Sequence, residues 1–235
     1  MADIYAFPNG TPIDVRADKG DSRTFDESSE NVRQSGLTRP YGVPDVVWQA
    51  VLSVQNMPRI EGVSYREIPV PCAMANFGIG VELECAVPDG APTGGFGEGI
   101  AGFNPAVAGD AGGWIMVLYS HKFRKDWRSH WRCTAFATLP LHGSEDDVLT
   151  PSMYWDYMMD NLDSDAVEDV SGTVTVTQNT MFGIDGNTPS TGCEIRVSWT
   201  PLDYADGGLD AGRQVGMWAG FLRTMTQSEE ETPVD

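Results

Sequence analysis

The chain has 235 residues, of which 41% are hydrophobic and 21% charged, so its composition is that of a globular protein and excludes collagen, coiled coils and wholesale disorder. Fifteen Lys and Arg residues face 34 Asp and Glu residues, and the formal net charge of −19 argues against direct binding of nucleic acid through its phosphates. No segment reaches the roughly 18–20 apolar residues of a membrane-spanning helix, and we expect neither a signal peptide nor a membrane partner.

The cysteine spacing favours a reducing compartment. The four cysteines, Cys72, Cys85, Cys133 and Cys193, form no CxxC pair, and the three histidines lack zinc-finger spacing. Scattered thiols mostly act as small buried hydrophobes, whereas structural disulfides belong to exported chains. We therefore expect reduced and mostly buried cysteines, a cytoplasmic location, no metal and no cofactor.

Composition divides the chain into three parts. Residues 1–42 carry few large apolar side chains and residues 226–235 are acidic, which predicts a flexible N-terminal arm and a disordered tail. Residues 43–225 carry the alternation and helical spacing of a single folded domain. Inside this domain, residues 88–113 hold nine glycines and three prolines without any Lys or Arg, which predicts a mobile loop that folding does not require.

The first half of the domain is predicted to be a helix followed by four strands. Pro44-Asp45 starts the helix, whose apolar stripe is Val47, Ala50, Val51 and Val54, and Met57-Pro58 ends it. Alternating or continuous apolar residues then predict strands. These strands span residues 63–70, 77–87, 114–119 and 131–141.

The second half is predicted to be a helix, two strands and a final helix. Thr150 and Pro151 supply an N-cap and a first helical residue, and apolar stripes mark both helices. The strands span 172–182 and 193–199. Consecutive strands with short connections imply antiparallel pairing, so the predicted class is α+β: a mostly antiparallel sheet of about six strands with about three helices on one face.

Three motifs could in principle bind a ligand or catalyse a reaction, but the residues around each of them argue against that function. Gly97-Glu-Gly99-Ile-Ala-Gly102 matches a dinucleotide-binding pattern, but Asn104-Pro105 breaks the helix that would follow. The Asn161-x-Asp163-x-Asp165 segment lacks the glycine and the bidentate glutamate of a calcium loop. Glu82 and Glu84 share the polar face of a strand, where we expect solvation and an ion pair with Arg196 rather than acid–base catalysis.

Charge is unevenly distributed along the chain. Residues 121–140 contain five Lys and Arg residues and one Asp, whereas residues 145–169 contain nine acids and no Lys or Arg. Most runs of one charge are solvated surfaces. A basic segment in so acidic a chain nevertheless predicts either a docking surface or local neutralisation.

The segment His121–Arg132 interleaves these cations with tryptophans. Arginine and tryptophan are typical anchors of protein interfaces, because each buries a large area beside a directional polar group. We predict that this segment binds a partner protein or the acidic 145–169 face of a second copy. The alternative is a hairpin whose tryptophans face the core and whose arginines neutralise the surface. The candidate partner-binding residues are Arg124, Lys125, Trp127, Arg128 and Arg132.

Several short segments carry a family pattern. They are, in order, Arg66–Pro71, the strand from Phe77, Trp114–Tyr119, Trp127 with Trp131–Thr134, Tyr154–Trp155, Gly172–Thr177 and Glu194–Leu202. Together they resemble an actinobacterial domain-of-unknown-function family, number 3000, over about residues 43–225. The resemblance implies a bacterial cytoplasmic protein but no activity, cofactor or site residues. Genes of this family often neighbour one for a ribonuclease-D-like exonuclease.

Three functions remain open from the sequence. The first is a non-enzymatic protein-binding or adaptor module, because the order of helices and strands also resembles small α+β chaperones that hold client peptides. The second is an accessory role in RNA metabolism, suggested by the gene neighbourhood. The third is an enzyme or small-ligand binder with a pocket between the sheet and the helices.

Overall fold

A six-stranded antiparallel sheet with three helices on one face is the framework of the chain. The structure is a computed structural model that describes residues 38–85, 111–140, 150–183, 186–202, 204–205 and 208–227. The strand order across the sheet is β1-β2-β3-β4-β6-β5, which confirms the predicted α+β class. In chain order the elements are α1 (Asp45–Asn56), β1 (Val63–Glu67), β2 (Phe77–Cys85), β3 (Gly112–Arg124), β4 (Ser129–Pro140), α2 (Thr150–Asn161), β5 (Val167–Gly183), β6 (Gly186–Pro201), β7 (Tyr204–Ala205), β8 (Gly208–Leu209) and α3 (Ala211–Gln227).

Boundaries differ from the predictions where local features decide them. β1 ends at Glu67 rather than at residue 70, because the prolines at 69 and 71 lack the N–H that a strand pairing needs. β3 begins at Gly112, so the end of the predicted 88–113 loop belongs to the sheet. The sequence does not predict the separate pair β7–β8, because two-residue strands are too short to alternate.

The main core lies between the helices and one face of the sheet. The predicted stripe of α1 is buried, and so are the inward residues of β2, β3, β4 and β6. Trp199 of β6 and Trp218 of α3 are both fully buried, with ring centroids 6.0 Å apart. Gln214 accepts a hydrogen bond from Trp199 Nε1 (2.6 Å) and donates one to the Ala166 carbonyl (3.2 Å). This amide therefore satisfies polar groups inside an otherwise apolar layer.

A second, smaller core covers part of the opposite face. Val70, which follows β1, packs with Met116, Leu118 and Trp127, and so β3 is buried on both sides. A continuous apolar run such as Trp114–Tyr119 is typical of a strand that is covered on both faces. Gly80 allows this arrangement, since a Cβ there would lie 2.4 Å from the carbonyl oxygen of Ile68. In the described part of the chain, this second core does not extend over the outward side chains of β6 and β5.

Several expectations fall outside the described residues. Most of the 1–42 arm, residues 88–110 of the glycine-rich loop and residues 228–235 of the tail belong to this group. Residues 226 and 227 continue α3. Within the described part of the chain, none of the helices has the length and apolar character needed to cross a membrane.

Candidate protein-binding surface at the β3–β4 hairpin

The cationic segment forms the end of the β3–β4 hairpin. The two strands pair up to Tyr119 and Trp131, the register then shifts, and Arg124 pairs with Ser129 around a tight turn. Arg128 has a φ of +52°, a left-handed backbone conformation that most side chains avoid. Because the regular pairing ends at Tyr119 and Trp131, the end of the hairpin extends beyond the regular part of the sheet.

The turn carries the exposed cations, most of which have acidic neighbours. Arg124 donates to Asp126 (2.6 Å), which raises the pKa of the guanidinium and lowers that of the carboxyl. Arg128 forms an ion pair with Asp169 (2.9 Å) and lies 3.5 Å from a Glu168 oxygen. Lys125 is exposed and has no ion-pair partner among the described residues. Part of the neutralising alternative is thus present, because Arg128 binds the end of the acidic 145–169 segment of its own chain.

Trp127 anchors the turn to the outer face of the sheet. Its side chain is 8% exposed, and the Arg124 guanidinium lies 4.3 Å from the centre of its ring. The Thr200 hydroxyl donates to the Trp127 carbonyl at 2.7 Å, which ties the turn to β6. The sequence predicts that Trp127 contacts a partner, and this stays a prediction. Because the ring is buried, such a contact would require the turn to open.

Arg132 is half-buried on the outer face and is held by hydroxyls. Its guanidinium donates to Ser198 Oγ (2.7 Å), Thr200 Oγ1 (3.0 Å) and Ser171 Oγ (3.4 Å). Burial lowers the pKa of this guanidinium, and the charge of Asp169 partly opposes the effect. These bonds join β4 to β6 and β5, so Arg132 positions the base of the hairpin and is the least accessible of the predicted cations.

An aromatic cluster in and next to the His121–Arg132 segment consists of rings that the candidate residues predicted from the sequence do not include. The His130 ring lies 6.2 Å from Tyr119 and 5.8 Å from Phe123, and His121 lies 5.7 Å from Tyr119. Tyr119 is also 4.8 Å from Trp131, which joins the cluster to the core. Phe123 is 58% exposed. The register shift after Tyr119 assembles these rings, and alternation in the sequence gives no signal of such a shift.

Other candidate chemistry does not assemble. Glu82 pairs with Arg66 across β1 and β2, while Arg196 pairs with Glu194 (2.7 Å), so the expected Glu82–Arg196 pair is wrong. The described residues hold no group of three or more His, Cys, Asp or Glu arranged to hold a metal ion. Burial raises the pKa of the Cys85 thiol to about 11 and that of the Cys193 thiol to about 12, which makes both thiols poor nucleophiles.

A shallow groove of about 660 Å³ lies between the end of α1 and the start of α3. The residues that line it include Met57, Met217, Asp210 and Arg213. It opens between two helices, whereas the sequence analysis expected any pocket to lie between helices and sheet.

Comparison with known proteins identifies a family. The model for the family described as "Protein of unknown function (DUF3000)" matches residues 43–228, most of the chain. The chain belongs to this DUF3000 family. The matched range contains every described element and the whole His121–Arg132 segment. Searches of curated proteins and of solved structures gave no match.

Proposed function

We propose that this DUF3000 protein is a non-catalytic protein-binding module, of an adaptor or chaperone-like kind, that uses the end of the β3–β4 hairpin. The observation that carries the proposal is the exposure of Phe123, an aromatic ring 58% open to solvent and supported from behind by His130. Lys122 and Lys125 are exposed on either side of it along the hairpin. Aromatic rings such as Phe are enriched in the buried centres of protein interfaces, and exposed cations nearby steer an acidic partner.

The chemistry of this surface indicates the kind of partner. An exposed ring gains most from apolar side chains, and the lysines favour nearby carboxylates. We therefore expect a polypeptide segment that carries an apolar residue between acidic residues. Binding should weaken as salt rises, because exposed charges are screened over about 8 Å at physiological ionic strength.

Two sources of an acidic segment were open in the sequence, and the ion pairs favour one. Arg128 already binds Asp169 and Glu168 of its own chain, which lowers the charge available for the same segment of a second copy. We therefore favour a different protein as the partner. A cytoplasmic location and an actinobacterial origin belong to this proposal, since they rest on the thiol content and the family resemblance.

The test is a comparison of proteins captured from a bacterial lysate by the immobilised full chain. The double substitution Phe123→Ala with Lys125→Glu should lose the captured partner, because it removes the ring and reverses the cation. We avoid Arg128→Glu in this test, because it would place a carboxylate beside Asp169 and alter the fold locally.

A matched control uses residues away from the hairpin. Tyr41 is fully exposed and Arg59 is exposed, so Tyr41→Ala with Arg59→Glu changes the ring count and the charge equally. The proposal requires a partner that the parent and the control retain and the hairpin variant loses. Equal retention by all three proteins would contradict it. If the protein has an accessory role in RNA metabolism, a ribonuclease should be among the proteins that the parent and the control capture and the hairpin variant does not.

A second candidate, a small-ligand binder, is favoured by the groove between α1 and α3. Gly216 lines this groove and a Cβ added there meets nothing within 4 Å, so Gly216→Leu would place a side chain in the groove. The test is a screen of small molecules for an increase in melting temperature. A ligand of this groove should stabilise the parent and leave the Gly216→Leu variant unchanged.

A further inference from the structure

β5 is a long strand at one end of the sheet, and no other strand of the described residues pairs with its outer edge. It spans 17 residues, and among the described residues it pairs with β6 alone. An unpaired strand edge presents a row of N–H and C=O groups that can pair with another chain. β1, at the opposite end of the sheet, has five residues including Arg66 and Glu67, and prolines follow it. Charge, shortness and proline protect the β1 edge, whereas on β5 the charged residues and the bulge lie only at the start of the strand, before Ser171.

The composition of β5 suits pairing. Residues 170–182 contain no charged residue and no proline, and Thr alternates with Val from 173 to 177. Thr173 and Thr175 are exposed on the outer face, whereas Val174 lies half-buried on the helix side. β-branched residues in such an alternation favour strand pairing on both faces.

An apolar fringe borders the same edge on the helix side. α2 packs against β5, and its residues Trp155 and Met159 are only partly buried where they meet the main core. Val170 and Val174 of β5 are partly buried against the same core. A strand added beside β5 would bring a further layer of side chains next to these four residues and complete their burial.

We propose that two copies of this chain associate through β5, antiparallel and related by a two-fold axis perpendicular to the sheet, to form one continuous twelve-stranded sheet. This symmetry keeps the helices of both copies on the same side, so Trp155 and Met159 of each copy approach the partner's α2. A two-fold interface of this kind is closed, which limits the assembly to a dimer.

The charges on β5 favour this arrangement over a parallel one. Glu168 and Asp169 are the acidic residues at the start of the strand, and a bulge separates them from Ser171. In an antiparallel pair centred on Val174, position 169 of one copy lies opposite position 179 of the other. The two Glu168 side chains then lie about 40 Å apart, at roughly 3.3 Å per residue over twelve residues. A parallel pair would place these carboxylates side by side, which costs stability.

The test uses opposite charges on the pairing edge of the full chain, with mass measured by sedimentation velocity at physiological ionic strength. The parent should be a dimer at micromolar concentrations. Thr173→Lys with Thr175→Lys places like charges opposite each other across the two-fold axis, so the dissociation constant should rise by about tenfold or more. Thr173→Glu with Thr175→Glu should have the same effect. An equimolar mixture of the two variants should restore the dimer as a mixed species.

Ser64→Lys on the β1 edge is the matched control and should leave the mass of the dimer unchanged, since Ser64 is exposed on the other end strand. Circular dichroism should give all variants the parent's melting temperature within a few degrees. A parent that stays monomeric would overturn the proposal, and so would a dimer that both double variants retain. Monomers in which the β5 amides that do not bond to β6 resist hydrogen exchange would overturn it too, because another part of the chain would then cover the edge.

Discussion

At the residue scale, the pair Trp199 and Gln214 sets the centre of the main core. The indole is fully buried and donates to the Gln214 amide at 2.6 Å, and that amide also accepts from the Cys133 thiol at 3.8 Å. Two contributions to stability therefore meet at this site. A large apolar surface is removed from water, and the buried polar groups of Trp199 and Gln214 form hydrogen bonds.

Trp199→Ala is expected to lower the free energy of unfolding by about 3–5 kcal/mol, because it empties an aromatic site that neighbours cannot fill. Trp199→Phe keeps most of the ring and loses the hydrogen bond, so it should cost about 1–3 kcal/mol. Urea unfolding followed by circular dichroism measures both values. A loss below about 1 kcal/mol for Trp199→Ala would contradict the inward orientation of Trp199.

The cysteines give a second prediction at this scale. Cys72 is exposed, whereas Cys85, Cys133 and Cys193 are buried. A thiol reagent at neutral pH should therefore label one cysteine per chain rapidly, and all four should react after unfolding. Cys72→Ser should abolish the rapid reaction. Rapid labelling of two or more cysteines in the folded protein would contradict this burial.

The same thiols determine a direction of stability with pH. Burial raises the pKa of Cys85 from 9.0 to about 11 and that of Cys193 from 9.0 to about 12. Above pH 9 the unfolded chain loses these protons first, so it binds fewer protons than the folded chain and stability falls as pH rises. Melting temperatures measured from pH 8 to pH 11 should decline, and Cys193→Ala should make the decline shallower.

At the element scale, two glycines of α3 have opposite roles. Gly212 lies against α1, and a Cβ there would be 2.4 Å from the Ser53 carbonyl oxygen. Gly216, one turn later, has open space around it. The first glycine allows two helices to approach closely, whereas no close contact requires the second.

Gly216→Ala is therefore expected to stabilise the protein by about 0.5–1 kcal/mol, the usual cost of glycine inside a helix. Gly212→Ala should destabilise it, because a backbone oxygen cannot move aside as a flexible side chain can. Thermal or urea unfolding of the two variants measures the contrast. Equal effects of the two substitutions would contradict the close contact between α1 and α3.

The elements also show what the sequence can and cannot predict. Alternation in the sequence puts the large apolar residues of β2 on one face of the strand, and likewise those of β4, and both faces are buried in the main core. Residues of a strand that packs on one layer point alternately into the core and out of it. The segment after β1, which the sequence predicts to be part of the strand, is different. Val70 is not part of β1, and its side chain packs against Gly78 and Gly80. Glycines in a strand are the available signal for such a close approach, but they do not say which segment makes it.

The candidate site is only partly predictable for a related reason. Local charge and aromatic content identify the hairpin, yet the ion pair between Arg128 and Asp169 joins residues 41 positions apart. The burial of Trp127 depends on Val70, Met116 and Leu118 from other elements. Exposure of Phe123 follows from the register shift after Tyr119, which composition does not reveal.

At the scale of the whole molecule, the net charge of the chain and the local charge at the end of the β3–β4 hairpin have opposite signs. A chain with a net charge of −19 repels other acidic chains over a distance set by the ionic strength. Lys122 and Lys125 attract carboxylates locally, and Phe123 supplies apolar area that does not depend on salt. Binding at this surface should therefore weaken with salt and keep an apolar component.

The central claim is that Phe123 contacts another protein, and photo-crosslinking from that position tests it most directly. A photoreactive phenylalanine analogue at position 123 should form covalent protein adducts in living cells, while the same analogue at the exposed Tyr41 position should not. Adding Lys122→Glu and Lys125→Glu should abolish the adducts from position 123 without lowering the melting temperature. The account is contradicted if position 123 yields no adducts, or yields the same adducts as position 41.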